Sequence, residues 1–366
     1  MRVLHVLGGL DRGGAETMIM NLYRNIDREN LQFDFIIHTD KKCDYEDEIT
    51  SLGGNVYTIP RYKGKNHLQY IKAWHNFFRQ NTQYKIVHGH MRSTAYLYLS
   101  IAKKYGLKTI AHSHNTSSGK GFPSLVKSIL QYPIRYNADY LLACSKYAGL
   151  WLFGKKACEM GNFYVLNNAI DTKKFNYNEK VREYKREELG IKDKFVIGHI
   201  GRFHEQKNHE YLIDIFSSVY KKNKDAVLIL VGDGPKKNAI MKKVDMLGLT
   251  ENVLFTGVRT DIPELFQTMD IFVFPSLYEG LPVTLIEAQA SGLQCIIADN
   301  ITKEVNITGA INYISITKPS SFWAEEIINR SRYTRQSTST TISEAGYDVK
   351  LNAKWLQNFY QEIQGE

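Results

Sequence analysis

Short, almost unbroken apolar runs recur along the chain and set the limits on its fold. In the first half they fall at 2–7, 33–37, 55–59, 85–88, 108–112, 140–143 and 163–166; in the second, at 195–200, 226–231, 252–256, 271–274 and 294–297. Runs this short, with little polar alternation, belong to strands buried on both faces, which is the habit of parallel sheets. Between them lie stretches with apolar residues at helical spacing, among them 14–26, 67–80 and 94–105. Such alternation predicts an α/β fold, with doubly wound parallel sheets covered by helices on both sides. The two series, spread over 366 residues, predict two such domains with a cleft between them.

A polar, charged segment at about 171–194 reads as a linker with a short helix. The expected domains are therefore 1–175 and 176–344. In the remainder, 345–366, Val349, Leu351, Trp355, Leu356, Phe359, Tyr360 and Ile363 stand at helical spacing and predict a closing helix that packs back on the first domain. The stretch 299–340 is poorly patterned and predicts no particular element.

Charge is unevenly spread. Residues 1–175 carry 24 Lys+Arg against 13 Asp+Glu, a net +11, whereas the remainder carries 23 against 25. Between Arg61 and Lys156 stand 16 basic residues and one acid, Asp139, interleaved with aromatics such as Tyr62, Tyr70, Trp74, Phe77, Phe78, Tyr96, Tyr98, Phe122, Tyr132, Tyr136 and Trp151. Basic residues among interfacial aromatics suit an anionic membrane surface. A solvated basic face over ordinary core aromatics is the plainer alternative. Nucleic acid is not expected as a partner, because no binding module is recognisable. No apolar run approaches the roughly 20 residues that span a bilayer. Met1-Arg2-Val3-Leu4-His5-Val6 runs straight into a strand pattern, which predicts no secretory leader. Cys43, Cys144, Cys158 and Cys295 are scattered and read as reduced thiols. The expected location is the cytoplasm, peripheral at the inner face of the cell membrane.

The stretch Tyr278-Glu279-Gly280-Leu281-Pro282-Val283-Thr284-Leu285-Ile286-Glu287-Ala288 carries the clearest chemistry. It follows the strand at 271–274, so Glu279 lies in the loop at a strand's carboxyl end, where ligands of α/β sheets bind. Pro282 is expected at the first helical position, opening a helix whose free N–H groups attract anions, with Glu287 in the helix body. Two carboxylates and an anion-binding helix start suit a sugar joined to a phosphate. Taken alone, the stretch equally fits a capped surface helix with solvated glutamates.

Other strand ends carry related features. Gly201-Arg202-Phe203-His204-Glu205-Gln206-Lys207-Asn208 brings two cations to a helix start, which fits a diphosphate. Gly232 in Val231-Gly232-Asp233-Gly234-Pro235, and the segment Phe255-Thr256-Gly257-Val258-Arg259, leave room for a base or ribose against backbone. In the first half, Gly8-Gly9-Leu10-Asp11-Arg12-Gly13-Gly14-Ala15-Glu16 offers backbone N–H groups to a phosphate or sugar, without dinucleotide-fingerprint spacing. Val87-His88-Gly89-His90 and Ala111-His112-Ser113-His114-Asn115 place four histidines at two strand ends, where an imidazole can donate to a phosphate oxygen or hold an acceptor hydroxyl. Each feature alone is also an ordinary strand–turn–helix junction. Metal is not expected: there is no strict Asp-x-Asp, no His-Glu-x-x-His, and the acidic cluster at 44–48 reads as an exposed helix start.

Together these residues resemble glycosyltransferase family 4, of the group 1 type, whose fold is two facing Rossmann-like domains, GT-B. The resemblance spans nearly the whole chain, with the Gly-Gly-Ala-Glu turn, the Gly-Arg…Lys loop, the Gly-Asp-Gly-Pro turn and the paired glutamates in family order, and Gly346-Tyr347-Asp348 before the last helix. It is nearest in character to bacterial transferases of capsular and exopolysaccharide assembly. The resemblance implies a retaining, metal-independent transfer of a hexosyl or N-acetylhexosaminyl group from a nucleotide sugar to a saccharide acceptor, lipid-linked, with no cofactor and a UDP-sugar favoured over a GDP-sugar. By position, Arg202 and Lys207 would bind the diphosphate, Glu287 the ribose hydroxyls and Glu279 the donor sugar. Gly280 and Leu281 would line sugar and phosphate, Val258 and Arg259 the base, and Gly13 and Gly14 would close over the phosphates. His114 aligns best with the family's cleft histidine; His112 is the near alternative, and His90 a further acceptor-side candidate. Two departures stand out: Asn168-Ala169 replaces the usual Asn-Gly, and Leu281-Pro282 the usual Phe-Gly. The competing readings are a nucleotide-sugar epimerase or hydrolase of the same fold, a non-catalytic membrane-associated partner of another transferase, and a basic nucleic-acid binder.

Overall fold

The computed structural model describes residues 1–114 and 130–365. The chain divides into two compact units, Met1–Ala169 with Val349–Glu366, and Ile170–Asp348. The first holds a sheet of β1 (Arg2–Val6), β2 (Gln32–Ile37), β3 (Val56–Thr58), β4 (Ile86–Gly89), β5 (Lys108–Ser113), β6 (Tyr140–Ala143) and β7 (Phe163–Val165), in the order β3-β2-β1-β4-β5-β6-β7. The second holds β8 (Phe195–Ile200), β9 (Ala226–Val231), β10 (Val253–Gly257), β11 (Ile271–Phe274), β12 (Cys295–Ala298) and β13 (Ile311–Ile314), in the order β10-β9-β8-β11-β12-β13. Every neighbouring pair in both sheets is parallel. Both units are thus the doubly wound α/β type that the apolar runs predict.

Strand order reverses between β1 and β4 in the first sheet and between β8 and β11 in the second. Connections leave such a point toward opposite faces, and a crevice opens there at the strands' carboxyl ends. The motifs after β1, β4, β8 and β11 all stand at these two points.

Strand pleating sorts the first core onto two faces. Val3, Phe33, Phe35, Ile86, Ile110 and Leu142 pack under the helices Gly14–Asn25 and Val349–Gly365. Leu4, Val6, Ile36, Val87, Ala111 and Leu141 pack under His67–Gln80 and Ala95–Lys104. The last helix closes its face with Val349, Ala353, Leu356, Phe359, Tyr360 and Ile363, all buried. A single core surrounds the second sheet.

The structure differs from the sequence expectation in three places. The first unit ends at Ala169 instead of 175, because Ile170 bridges to Asp348 and Phe175 is buried in the second core; the last helix begins at Val349. β13 and the helix Ser320–Arg330 lie in the stretch left unassigned. Tyr70, Trp74, Phe77, Phe78 and Tyr98 of the basic, aromatic-rich stretch are core residues, so they present nothing to a membrane. Lys120, Phe122 and Lys127 of that stretch lie outside the described residues. Among the described residues no helix is long and apolar enough to cross a membrane.

Leu356 is 1% exposed at the centre of the closing helix. Leu356→Ala is expected to cost about 3 kcal/mol, read as an earlier denaturant midpoint by tryptophan fluorescence. An unchanged midpoint would detach this helix from the core.

Candidate active site

In the second unit the loops after β8, β9 and β11 are tied together by backbone. The Phe203 N–H donates to the Asp233 carbonyl at 2.9 Å, and the Lys236 N–H to the Phe203 carbonyl at 3.0 Å. Gly232 has φ +133°, and a Cβ there would lie 2.3 Å from the Gly201 carbonyl oxygen. Only glycine fits where those two loops touch. On the other side, the Leu277 N–H donates to the Gln206 carbonyl at 2.8 Å, and Asn208 Nδ2, from a left-handed residue, donates to Pro275 O at 3.2 Å. The loops bearing Lys207 and Glu279 are therefore held as one piece across the β8–β11 reversal.

Within that piece Lys207 Nζ meets Glu279 Oε1 at 2.6 Å, with side chains only 16% and 8% exposed. Gln206 Nε2 donates to Glu279 Oε2 at 3.2 Å, and Lys207 Nζ stands 4.6 Å from the Phe274 ring centre. The expected phosphate cation and the expected sugar acceptor thus neutralise each other, a buried pair whose members answer to one another's charge. Arg202 is exposed and, among the described residues, without an ion-pair partner.

The helix after Glu279 is Val283–Ala290, with Pro282 as its extended cap residue instead of its first helical one. Gly280 is exposed and Leu281 packs partly on the core. Glu287, one turn in, is mostly buried and makes no side-chain hydrogen bond or ion pair among the described residues. Burial alone pushes its pKa up to about 7. Such a carboxylate has lost water without gaining donors, so it is matched to a ligand that brings hydroxyls. Val258 is 73% exposed. Arg259, expected beside a base, instead grips Asp261 with two bonds of 2.7 and 2.6 Å, and Asp261 also takes Lys185.

In the first unit Gly13 caps the helix Gly14–Asn25, and a Cβ on it would lie 2.3 Å from Glu16 Oε2. The glycine lets the Glu16 carboxylate, itself raised in pKa by burial, fold over its own helix start, where a phosphate was expected. Gly14 borders open space.

The histidines form a larger group than the sequence suggests. His88, His90, His112 and His114 are joined by His5 of β1, which reads in sequence as an ordinary strand residue. His88 Nε2 lies 3.1 Å from His112 Nδ1, His90 Nδ1 2.8 Å from His114 Nε2, and His5 Nδ1 3.0 Å from His90 Nε2. The His112 and His114 rings stack at 4.1 Å between centroids. Burial, reinforced by the neighbouring imidazoles, holds His88, His90 and His112 far below the usual histidine pKa. Burial likewise brings His5 and His114 to about 3, Asp34 opposing it at His5 and Arg92 adding to it at His114. Two triads, His5–His88–His90 and His90–His112–His114, keep one nitrogen each within 4.8 Å, close enough for a metal ion. Their nitrogens are paired with one another in stacked rings instead of converging on one point.

Comparison with known proteins places the chain in a family. The model of "Glycosyltransferase Family 4" matches residues 12–174, and that of "Glycosyl transferases group 1" matches 181–327. A Bacillus subtilis (strain 168) protein named as a glycosyltransferase, EpsF, is 40% identical over 98% of this chain and 96% of its own. An Escherichia coli UDP-Gal:alpha-D-GlcNAc-diphosphoundecaprenol alpha-1,3-galactosyltransferase is 29% identical over 59% of this chain and 58% of its own. The Staphylococcus aureus capsular polysaccharide biosynthesis glycosyltransferase CapH is 23% identical over 98% of both. The fold is shared with Anabaena Alr3699/HepE, solved in complex with UDP, at a TM-score of 0.78 and 17% identity, covering 99% of this chain and all of that one.

Two pH dependences follow, of opposite sign. Glu287 has a folded pKa above its ordinary 4.5, so the stability it lends is full below pH 4.5 and lost as pH rises through about 7. The melting-temperature difference between wild type and Glu287→Gln is expected to shrink or reverse across that interval; a constant difference would mean a solvated carboxylate. The five histidines have folded pKa values below the ordinary 6.5, so their contribution is lost as pH falls below 6.5, by up to about 1.4 kcal/mol per ring per pH unit. Melting temperature is expected to drop steeply toward about pH 5, and less so in His114→Gln. A flat profile would mean that the rings are charged in the folded protein.

Proposed function

Since the chain belongs to glycosyltransferase family 4, we propose that it moves a hexosyl or N-acetylhexosaminyl group, with retention, from a UDP-sugar to a lipid-linked saccharide in bacterial surface polysaccharide assembly. The observation that carries this reading is the group at the β8–β11 reversal: a buried Lys207–Glu279 pair and, in the helix that follows Glu279, a desolvated Glu287 with no side-chain partner among the described residues. A diphosphate takes over Lys207, which frees Glu279 for sugar hydroxyls, and ribose hydroxyls satisfy Glu287. The exchange replaces one set of charge-assisted bonds by another, so binding leaves no charge buried alone.

The transfer needs no dedicated base. The bond from the anomeric carbon to the diphosphate oxygen breaks, with Arg202 and Lys207 stabilising the negative charge that develops on that oxygen. The acceptor hydroxyl attacks from the same face, and its proton passes to the departing diphosphate. His114, which matches the family's cleft histidine by position, is assigned a hydrogen bond to the substrate. No metal enters this reading. The donor base and the acceptor class are supported by the relatives, whose names include UDP-Gal and a diphosphoundecaprenol acceptor.

Membrane association is part of the proposal. In the first unit Leu68, Tyr132, Tyr136 and Tyr147 are 83%, 54%, 69% and 61% exposed, close in sequence to the exposed Lys63 and Lys65 or to Arg135 and Lys146. Apolar tips amid cations suit an anionic leaflet, where each basic residue contributes about 1 kcal/mol.

The test is transfer of labelled sugar from a panel of UDP-hexoses and UDP-N-acetylhexosamines to a diphosphoundecaprenol-linked sugar, with chelator present. Product is expected with one donor, and Lys207→Ala and Glu287→Ala are each expected to lower the rate by about 100-fold; Lys207→Ala, which leaves the Glu279 carboxylate buried without its cation, is expected to lower the melting temperature as well. No transfer from any donor, together with no melting shift on adding UDP, would overturn the proposal.

A further inference from the structure

One histidine is used above, yet five stand on one face of the first sheet. His5 and His88 pair across β1 and β4, His112 lies on β5, and His90 and His114 follow two residues on, so the pleat keeps all five side by side. Their hydrogen bonds form two separate chains. One runs from Tyr360 Oη to His88 Nδ1 at 2.5 Å, then from His88 Nε2 to His112 Nδ1. The other runs from His5 Nδ1 to His90 Nε2, then from His90 Nδ1 to His114 Nε2. His112 Nε2, His114 Nδ1 and His5 Nε2 are buried and have no hydrogen-bond partner among the described residues.

A neutral imidazole carries one N–H and one lone pair, so a direction imposed at one end passes through the whole chain. The Tyr360 phenol keeps its proton, since burial holds its pKa well above the ordinary value. Among the described residues His88 Nδ1 is the one acceptor within reach of that hydroxyl, so it donates there, which leaves His88 Nε2–H to donate to His112 and puts the His112 proton on Nε2. In the second chain the closed end is His5 Nε2, on a ring packed against Phe33 and Phe35. Either direction leaves one N–H unpaired at an end, and His5 is the costlier end, 1% exposed among aromatic rings, whereas His114 is partly exposed where its strand ends. The His5 proton therefore sits on Nδ1, His90 donates from Nδ1, and His114 carries its proton on Nδ1.

We propose that Tyr360 and His5 are positioning residues that fix the tautomers of His112 and His114, through His88 and His90 respectively, so that His114 meets the substrate as a neutral Nδ1–H donor and not as a proton acceptor. What His114 touches rests on the glycosyltransferase reading. The tautomers are a property of the empty protein and can be measured without any substrate.

The experiment is a long-range proton–nitrogen correlation spectrum of protein labelled with nitrogen-15 histidine, at neutral pH. His112 is expected to show a protonated Nε2 and a bare Nδ1, and His114 the reverse. Tyr360→Phe, which removes only the hydroxyl, is expected to mix the tautomers of His112 and spare His114. His5→Phe is expected to mix those of His114, spare His112 and lower kcat by about twofold to tenfold, with KM for the nucleotide sugar unchanged. The opposite wild-type tautomer on either ring, a doubly protonated ring, or variants that leave both patterns as they were would overturn the inference. The wild-type spectrum tests it even if a variant does not fold. Tautomers as expected in a protein that transfers no sugar would uphold the inference and overturn the function proposed for the site.

Discussion

Everything in the second unit that bears on chemistry hangs on the reversal of strand order between β8 and β11. Because both strands are central and parallel, the loops after them emerge at one edge of the sheet with no strand between. A backbone bond from Leu277 N–H to the Gln206 carbonyl, and one from the Asn208 side-chain amide to the Pro275 carbonyl, then fasten the two loops to each other. Lys207 and Glu279, 72 residues apart in sequence, are brought within 2.6 Å by that fastening. The first unit repeats the arrangement between β1 and β4, and its histidines gather there for the same topological reason.

The two reversal points are electrostatically unlike. The second unit holds ionic groups in balance: a buried cation against a buried carboxylate, and a further carboxylate that burial has brought close to neutrality. The first unit excludes charge, since five imidazoles share one desolvated face and the neighbouring rings make protonation of His88, His90 and His112 harder still. A set of rings that resists protonation serves as fixed dipoles, whereas the ion pair can exchange partners.

Much of this was legible in the sequence. Parallel strands are buried on both faces, so their apolar runs stood out, and turn glycines and strand-end motifs followed each run. β13 escaped because Ile311–Ile314 is a four-residue edge strand with Asn312 and Tyr313 only half-buried. The contact between Lys207 and Glu279, the capture of Arg259 by Asp261, and the folding of Glu16 over its helix depend on side-chain directions, which spacing does not encode. His5 and Tyr360 were hidden for another reason. One sits inside a strand and the other at an apolar position of the closing helix, so each reads as core until its ring partners are seen.

The helix Val349–Gly365 belongs to the first unit, yet its residues are joined to that unit only after the whole second unit has been made. During synthesis the first sheet therefore emerges with one face only partly covered, by the helix Gly14–Asn25, and the part under the last helix bare. The second unit has all of its strands and helices before the last helix exists. Order of synthesis and order of completion are thus inverted, and the nascent first unit is the part of this chain most in need of a chaperone.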